Sequence, residues 1–238
     1  MPAKRGRFLF LNLKKIGGEK MNISRMPQRM SLEYFIRNRH WDGVSGVEIG
    51  LFYKALHTAI NCHKNQKRES GGEYYEHVLV VADISRCLNF NTEIQIVGLL
   101  HDVMEDSNIS YEEVRKHFGL KVADIVQLIS KNNESDYWEQ LYLGAQIHFE
   151  LIFIKMIDRW HNLTTVYGFR DLRRQIKYLE ETLGPFNDLL AHCQSLIPES
   201  HLADYDELWT TIYHLAQRRL QRTRKKLSNN LVKSIPVL

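Results

Sequence analysis

Leu99-Leu100-His101-Asp102-Val103-Met104-Glu105-Asp106 places four ionisable side chains within six residues, directly after two leucines. On a helix, His101 and Glu105 share a face, with Asp102 and Asp106 one position round. Burying charges without partners is expensive, so the octapeptide is either an exposed, charged helix end or the mouth of a site. A second segment, Lys155-Met156-Ile157-Asp158-Arg159-Trp160-His161-Asn162, comes after an apolar run from Phe149 broken only by Glu150 and Lys155. Asp158 and Asn162 stand four apart on one face. Taken alone, this segment reads as the solvated stripe of a helix's second half. His77 opens a helical pattern after a Gly-rich loop, where a lone histidine is usually structural or exposed.

Combined, the features have a chemical reading. His77, His101, Asp102 and Asp158 offer two imidazoles and two carboxylates. Such a mixed nitrogen and oxygen set suits a divalent ion such as manganese, iron or zinc. Adjacent His101 and Asp102 can both ligate only if a helix end points at the ion and flanking helices supply the rest. Water bound there has a lowered pKa, giving hydroxide for attack on phosphorus. Glu105, one turn beyond His101, is placed to orient or deprotonate that water.

The elements that must hold these groups are helical. Apolar spacing follows a helix nearly everywhere, and no segment alternates like a half-buried strand. Helices are expected over 31–41, 47–66, 75–88, 92–106, 120–131, 137–167, 170–183, 186–196 and 202–226. Ser110-x-x-Glu113 is a capping box for a further short helix ending at Phe118-Gly119. Ser70-Gly71-Gly72 opens a loop before Tyr74, polar residues 131–136 form a linker, and Gly184-Pro185 punctuates the last third. The fold class expected is all-α, a compact helical bundle.

Length and composition narrow the field. With 238 residues, 44% hydrophobic and 25% charged, the chain reads as one large globular domain, or a domain with appendages. Apolar stretches such as Phe8–Leu11 fall far short of the ~20 residues that span a bilayer, and the basic start carries no convincing signal peptide. Cys62, Cys87 and Cys193 form no CxxC pair, so neither a thiolate zinc site nor a disulfide framework is indicated. A reducing cytoplasm is the expected address. The net charge of +4 divides unevenly: residues 1–25 carry +6, residues 218–238 carry +7, and the body between them −9. Basic ends are either solvated tails or an accessory contact with nucleic acid or another anionic surface.

Four motifs, in order, give the chain a resemblance. His63-Lys64-Asn65-Gln66-Lys67-Arg68-Glu69-Ser70-Gly71, with Tyr74 and His77 beyond, is similar to H-K-G-Q-x-R-x-S-G-x-x-Y-x-x-H of the HD-domain hydrolases of the RelA/SpoT type. LLHDVMEDS at 99–107 resembles LLHDVVEDT, and KMIDRWHNLTT at 155–165 resembles KLADRLHNMRT. The stretch YEEVRKHFG at 111–119, with Ile129-Ser130-Lys131 after it, matches the family's segment between these two motifs. The likeness covers about 47–195, including a weaker echo at Glu181-Thr182-Leu183. These hydrolases remove the 3′-pyrophosphate from the alarmone (p)ppGpp on an all-α HD scaffold.

The resemblance implies a manganese ion held by His77, His101, Asp102 and Asp158, with Glu105 and Asp106 as the acidic pair that positions and activates water. It implies that Arg68 packs on the guanine base and Asn162 contacts the ribose, with Tyr74, Lys131 and Thr165 lining the nucleotide pocket. Glu69 departs from a position that is often basic, Glu73 and Val78 replace prolines around His77, and the segment between Gly119 and Asp158 is shorter than in long bifunctional members. The implied organisation is a basic tail (1–25), a hydrolase domain (26–197), and a C-terminal helix with a basic tail (198–238). The roughly 40 residues after 198 are too few for a synthetase domain, so a small, single-function alarmone hydrolase is expected. Its expected partner is a small-molecule nucleotide, with no membrane contact and nucleic acid at most accessory. Hydrolysis of an adenosine alarmone or another nucleotide, and a non-catalytic nucleotide-sensing module, stand as alternatives. The sequence does not indicate an oligomeric state.

Overall fold

The structure, a computed structural model, describes residues 26, 28–131 and 136–233. Among them, twelve α-helices succeed one another: α1 (Leu32–Arg37), α2 (Gly46–Cys62), α3 (Tyr75–Cys87), α4 (Thr92–Leu100), α5 (Val103–Asp106), α6 (Tyr111–Phe118), α7 (Leu120–Ile129), α8 (Tyr137–Ile147), α9 (Glu150–Thr165), α10 (Leu172–Leu183), α11 (Pro185–Cys193) and α12 (Glu199–Lys233). One isolated bridge, Lys67 with Glu73, is the sole β pairing among the described residues. The fold is all-α, as expected. The expected tail 1–25 and most of the 131–136 linker lie outside the described residues.

Side-chain caps set five of the twelve helix starts. Ser45 and Glu48 exchange reciprocal bonds at the head of α2, and Ser110 and Glu113 do so at α6. Ser31, Asn91 and Asp171 each accept a backbone N–H at the starts of α1, α4 and α10.

Four expected helices are divided or shortened, the one expected over 31–41 ending already at Arg37. The 92–106 helix breaks at His101-Asp102, where Asp102 takes ψ −5° and α5 sets off again. On an unbroken helix these neighbours project about 100° apart; the turn lets both reach one point. The 137–167 helix breaks at His148, whose ψ of 86° redirects the chain into α9. The helix expected to reach residue 66 stops at Cys62, and Asn65 adopts φ +73° as the chain enters the 63–74 loop.

α9 is buried on nearly every side between 151 and 164, its polar residues Asp158, Arg159 and His161 included, so each of them needs a partner inside the bundle. α3 packs against it and against α4, and α4 also meets α2 and α7. The described part of the C-terminal basic segment, through Lys233, is helical, and its first residues pack on the core through Leu220 and Thr223. α12 presents Tyr205, Leu208, Ile212, Ala216 and Leu220 to the core at three- and four-residue spacing. Two of its arginines are engaged: Arg219 lies 3.6 Å over the Tyr167 ring and donates to the Thr164 carbonyl, while Arg224 pairs with Glu180 at 2.7 Å.

One contact governs how near α3 and α4 approach. A Cβ on Gly98 would stand 3.0 Å from Ala82 Cα. Gly98→Ala is therefore expected to overpack this crossing and cost roughly 1–3 kcal/mol, read as a lower urea midpoint; an unchanged midpoint would show that the glycine is incidental.

Candidate metal centre

α3 supplies His77, the α4–α5 turn supplies His101 and Asp102, and α9 supplies Asp158. Both histidines are fully enclosed, and the two carboxylate side chains are only 14% and 9% exposed. His77 Nε2 lies 3.2 Å from His101 Nε2 and 3.2 Å from Asp158 Oδ1. Asp102 Oδ2 stands 3.1 Å from His101 Nε2 and 3.6 Å from His77 Nε2. The donors of His77, His101 and Asp158 all fall within 4.8 Å of one another. Two ligands at right angles, each about 2.1 Å from one ion, stand about 3 Å apart, so the spacing fits a single divalent ion.

The outer partners agree with that fit. His101 Nδ1 donates to the Gly98 carbonyl at 2.9 Å, which turns Nε2 toward the cluster. His77 Nδ1 meets His161 Nδ1 at 2.7 Å. Tyr74 donates its hydroxyl to Asp102 Oδ2 at 2.8 Å, and Asn162 donates to Asp158 Oδ1 at 2.5 Å.

Electrostatics show how strongly the centre asks for positive charge. Burial disfavours a charged His77 and pulls it down to about 4, against the help of Asp158. Burial acts the same way on His101, but Asp102, Asp158 and the Gly98 carbonyl outweigh it and raise that ring to about 9. Burial would push both aspartates up; His101 holds Asp102, and Lys155 with the two histidines holds Asp158, below the usual carboxylate range. Lys155 Nζ lies 3.2 Å from Asp158 Oδ2 and 5.4 Å from the Tyr137 ring. Burial opposes its charge, but Asp158 and Tyr137 keep it above its ordinary value.

Glu105 and Asp106 lie on α5. Glu105 Oε1 accepts the Lys131 backbone N–H at 2.7 Å, and its carboxyl is raised chiefly by burial, against the pull of Lys155. Asp106 is raised by burial and then by Asp102, and its Oδ2 lies 3.7 Å from His63 Nδ1. Lys131 thus reaches the site through its main chain, with Nζ 5.7 Å from the Tyr137 ring.

The remaining expected residues gather on one side. Arg68 Nη2 donates to Asn162 Oδ1 at 2.5 Å and Thr165 Oγ1 at 2.9 Å, with the guanidinium 5.6 Å from the Tyr74 ring. Glu69 pairs with Arg174 of α10, whose guanidinium lies 4.4 Å from the Phe169 ring. Gly168 holds this loop down: a Cβ there would collide with the backbone of Ser70 and Glu69. Sequence reasoning missed Lys155, His63 and His161. Lys155 had a signal, as the cation interrupting an apolar run three residues before Asp158. His161 had none, because its backbone partner is Gln28, 133 positions away.

A buried His-Asp pair at a helix break, joined by a histidine and an aspartate from two neighbouring helices, is a donor set that can hold a metal ion on an all-helical scaffold. A family profile described as HD domain matches residues 55–194. The chain belongs to the HD-domain family, and a divalent ion at this centre is implied by that membership and by the donor set.

Among its relatives are the probable GTP diphosphokinase RSH3, chloroplastic, of Arabidopsis thaliana, 32% identical over 57% of this chain and 21% of that protein. The guanosine-3′,5′-bis(diphosphate) 3′-pyrophosphohydrolase of Aquifex aeolicus is 28% identical over 76% of this chain and 27% of its own length. The bifunctional (p)ppGpp synthase/hydrolase SpoT of Escherichia coli is 27% identical over 79% and 26%. The chain thus spans about a quarter of these relatives. A solved structure described as a metazoan ortholog of SpoT that hydrolyzes ppGpp shares the fold, with TM-score 0.54 and 22% identity over 71% of this chain and 96% of that one.

Asp102→Ala is expected to weaken divalent-ion binding, measured by equilibrium dialysis, by more than the roughly 10–100-fold that loss of an outer partner costs. Asp158→Ala should do the same and, by leaving Lys155 buried without its carboxylate, also cost roughly 3 kcal/mol of stability. Wild-type ion affinity in either folded variant would dismiss this centre.

Proposed function

We propose that the protein hydrolyses the 3′-pyrophosphate of guanosine tetra- and pentaphosphate, (p)ppGpp, giving GDP or GTP and pyrophosphate, with Mn2+ as the ion. The observation that carries this reading is the convergence of His77, His101, Asp102 and Asp158 beside two further carboxylates and an arginine cluster. The names of the relatives support the substrate. Mixed imidazole and carboxylate donors suit manganese.

In this reading the four donors hold the ion, and Glu105 with Asp106 face the attacking water. A bound divalent ion supplies stabilisation of the charge developing on the phosphoryl group and acidifies water in contact with it. Water oxygen bonds to the phosphorus carried by the 3′-oxygen, the P–O3′ bond breaks, and its electron pair leaves on O3′, which takes up a proton from solvent and ends as the 3′-hydroxyl. Glu105 takes the water proton; its carboxyl, raised by burial, is a stronger base than an exposed glutamate. The backbone N–H of Lys131 fixes that carboxylate. Arg68, gripped at one edge by Asn162 and Thr165, keeps a flat guanidinium for stacking on the base. Asn162 contacts the ribose, and Tyr74, Thr165 and Lys131 line the pocket.

Residues 26–197 form the hydrolase unit in this proposal, and the family match at 55–194 falls inside it. A cytoplasmic site of action and a part in the stringent response belong to the same proposal. Three free thiols are consistent with a reducing compartment, and no described helix is long and apolar enough to cross a membrane.

Purified protein with Mn2+ is expected to release pyrophosphate from ppGpp and pppGpp, and to leave GTP intact. The assay includes ppApp because Glu69, paired with Arg174, alters the charge beside the pocket. Faster turnover of ppApp would transfer the proposal to adenosine alarmones; no pyrophosphate from any of them would end it. Glu105→Gln is expected to keep the ion and lose about 10²–10⁴-fold in single-turnover rate. A wild-type rate would remove Glu105 from the chemistry.

A further inference from the structure

His161 lies on α9 three residues after Asp158, is 2% exposed, and makes two hydrogen bonds through its two ring nitrogens. Nε2 sits 3.0 Å from the Gln28 carbonyl oxygen and Nδ1 sits 2.7 Å from His77 Nδ1. The ring centroids are 4.8 Å apart with planes 28° from parallel, and the 2.7 Å N···N separation is that of a hydrogen bond. These contacts fix where the hydrogens are. A carbonyl oxygen can only accept, so His161 Nε2 carries hydrogen. In a neutral ring Nδ1 then holds the lone pair, and the hydrogen between the rings belongs to His77 Nδ1. His77 Nε2 is therefore bare, and it is the nitrogen that faces His101 and Asp158.

We infer that His161 is a positioning residue: anchored by the Gln28 carbonyl, it locks His77 in the tautomer and ring orientation that present Nε2 to the metal. This rests on the metal centre proposed above. Metal-bound histidines usually hand their second N–H to a carboxylate, carbonyl or water, each of which accepts whatever its surroundings. An imidazole accepts only if its own hydrogen is placed elsewhere, so here the ligand's orientation depends on a third group. That group belongs to a segment outside the 55–194 family match. Met26 and Met30 are buried in the core, and Arg29 donates to the carbonyls of Ser70 at 3.4 Å and Gly71 at 3.1 Å. The segment thus braces the metal centre through one residue and the Arg68 loop through the next.

Two substitutions separate positioning from packing. His161→Leu fills much of the space but offers no acceptor; His161→Asn is smaller, yet can set its Oδ1 where Nδ1 was. Mn2+ affinity is read from the free-ion signal in electron paramagnetic resonance titrations, with thermal unfolding of the metal-free proteins alongside. The leucine variant is expected to bind Mn2+ about 10–100-fold more weakly than wild type, and the asparagine variant to recover most of that loss. Wild-type affinity in the leucine variant, or equal weakening in both, would overturn the inference. Should the variants not fold, long-range 1H–15N spectra of the Zn2+-loaded wild type decide the matter. Hydrogen on Nε2 and a bare Nδ1 at His161 support it; hydrogen on His161 Nδ1 contradicts it. A wild-type protein that binds no divalent ion would overturn the metal centre itself, a separate failure visible before any variant is made.

Discussion

Two imidazole nitrogens 3.2 Å apart, flanked by two carboxylates in the middle of a helical bundle, are the constraint around which the structure is arranged. Lone pairs and negative charge crowd together where little water reaches them, and such a cluster is tolerable only with positive charge at its centre. Asp102 and Asp158 push His101 above its ordinary value, while burial pulls the equally buried His77 down. A divalent ion held by the four side chains would supply that charge and would need both ligand nitrogens unprotonated.

The surrounding elements serve that convergence. Gly98 lets α4 pack closely against α3, which brings His101 to His77. The turn at His101-Asp102 departs from the helix so that consecutive residues aim at one point. Lys155 places a cation on the far oxygen of Asp158, where it offsets the charge of Asp158 and of nearby Glu105. The 63–74 loop is tied to the end of α9 by Arg68 and pressed there by Gly168. Arg219 fastens α12 to Tyr167, the neighbour of that glycine. The C-terminal basic charge, which looks like a solvated tail in the sequence, thus contributes in part to holding the floor of the site.

Elements whose boundaries are set by local chemistry were legible. Ser110 with Glu113 announces a helix start within four residues, and Gly184-Pro185 announces a stop. The breaks at His101 and His148 were not legible, because neither has a glycine or proline; they arise from where distant helices need the chain to go. The donors were visible as residue types in motif order, yet nothing in the spacing of 77, 101 and 158 says that they meet. Lys155 reads as a blemish in an apolar run until Asp158 and Tyr137 are seen beside it. His161 acquires meaning only from Gln28, and no periodicity links positions so far apart.

The central claim is that one ion sits among these four side chains. Crystals of the protein grown with Mn2+, measured at the manganese absorption edge, test it directly. A single anomalous peak bounded by His77 Nε2, His101 Nε2, Asp102 and Asp158 is the predicted result. An anomalous peak elsewhere, or none at full Mn2+ saturation, would contradict it.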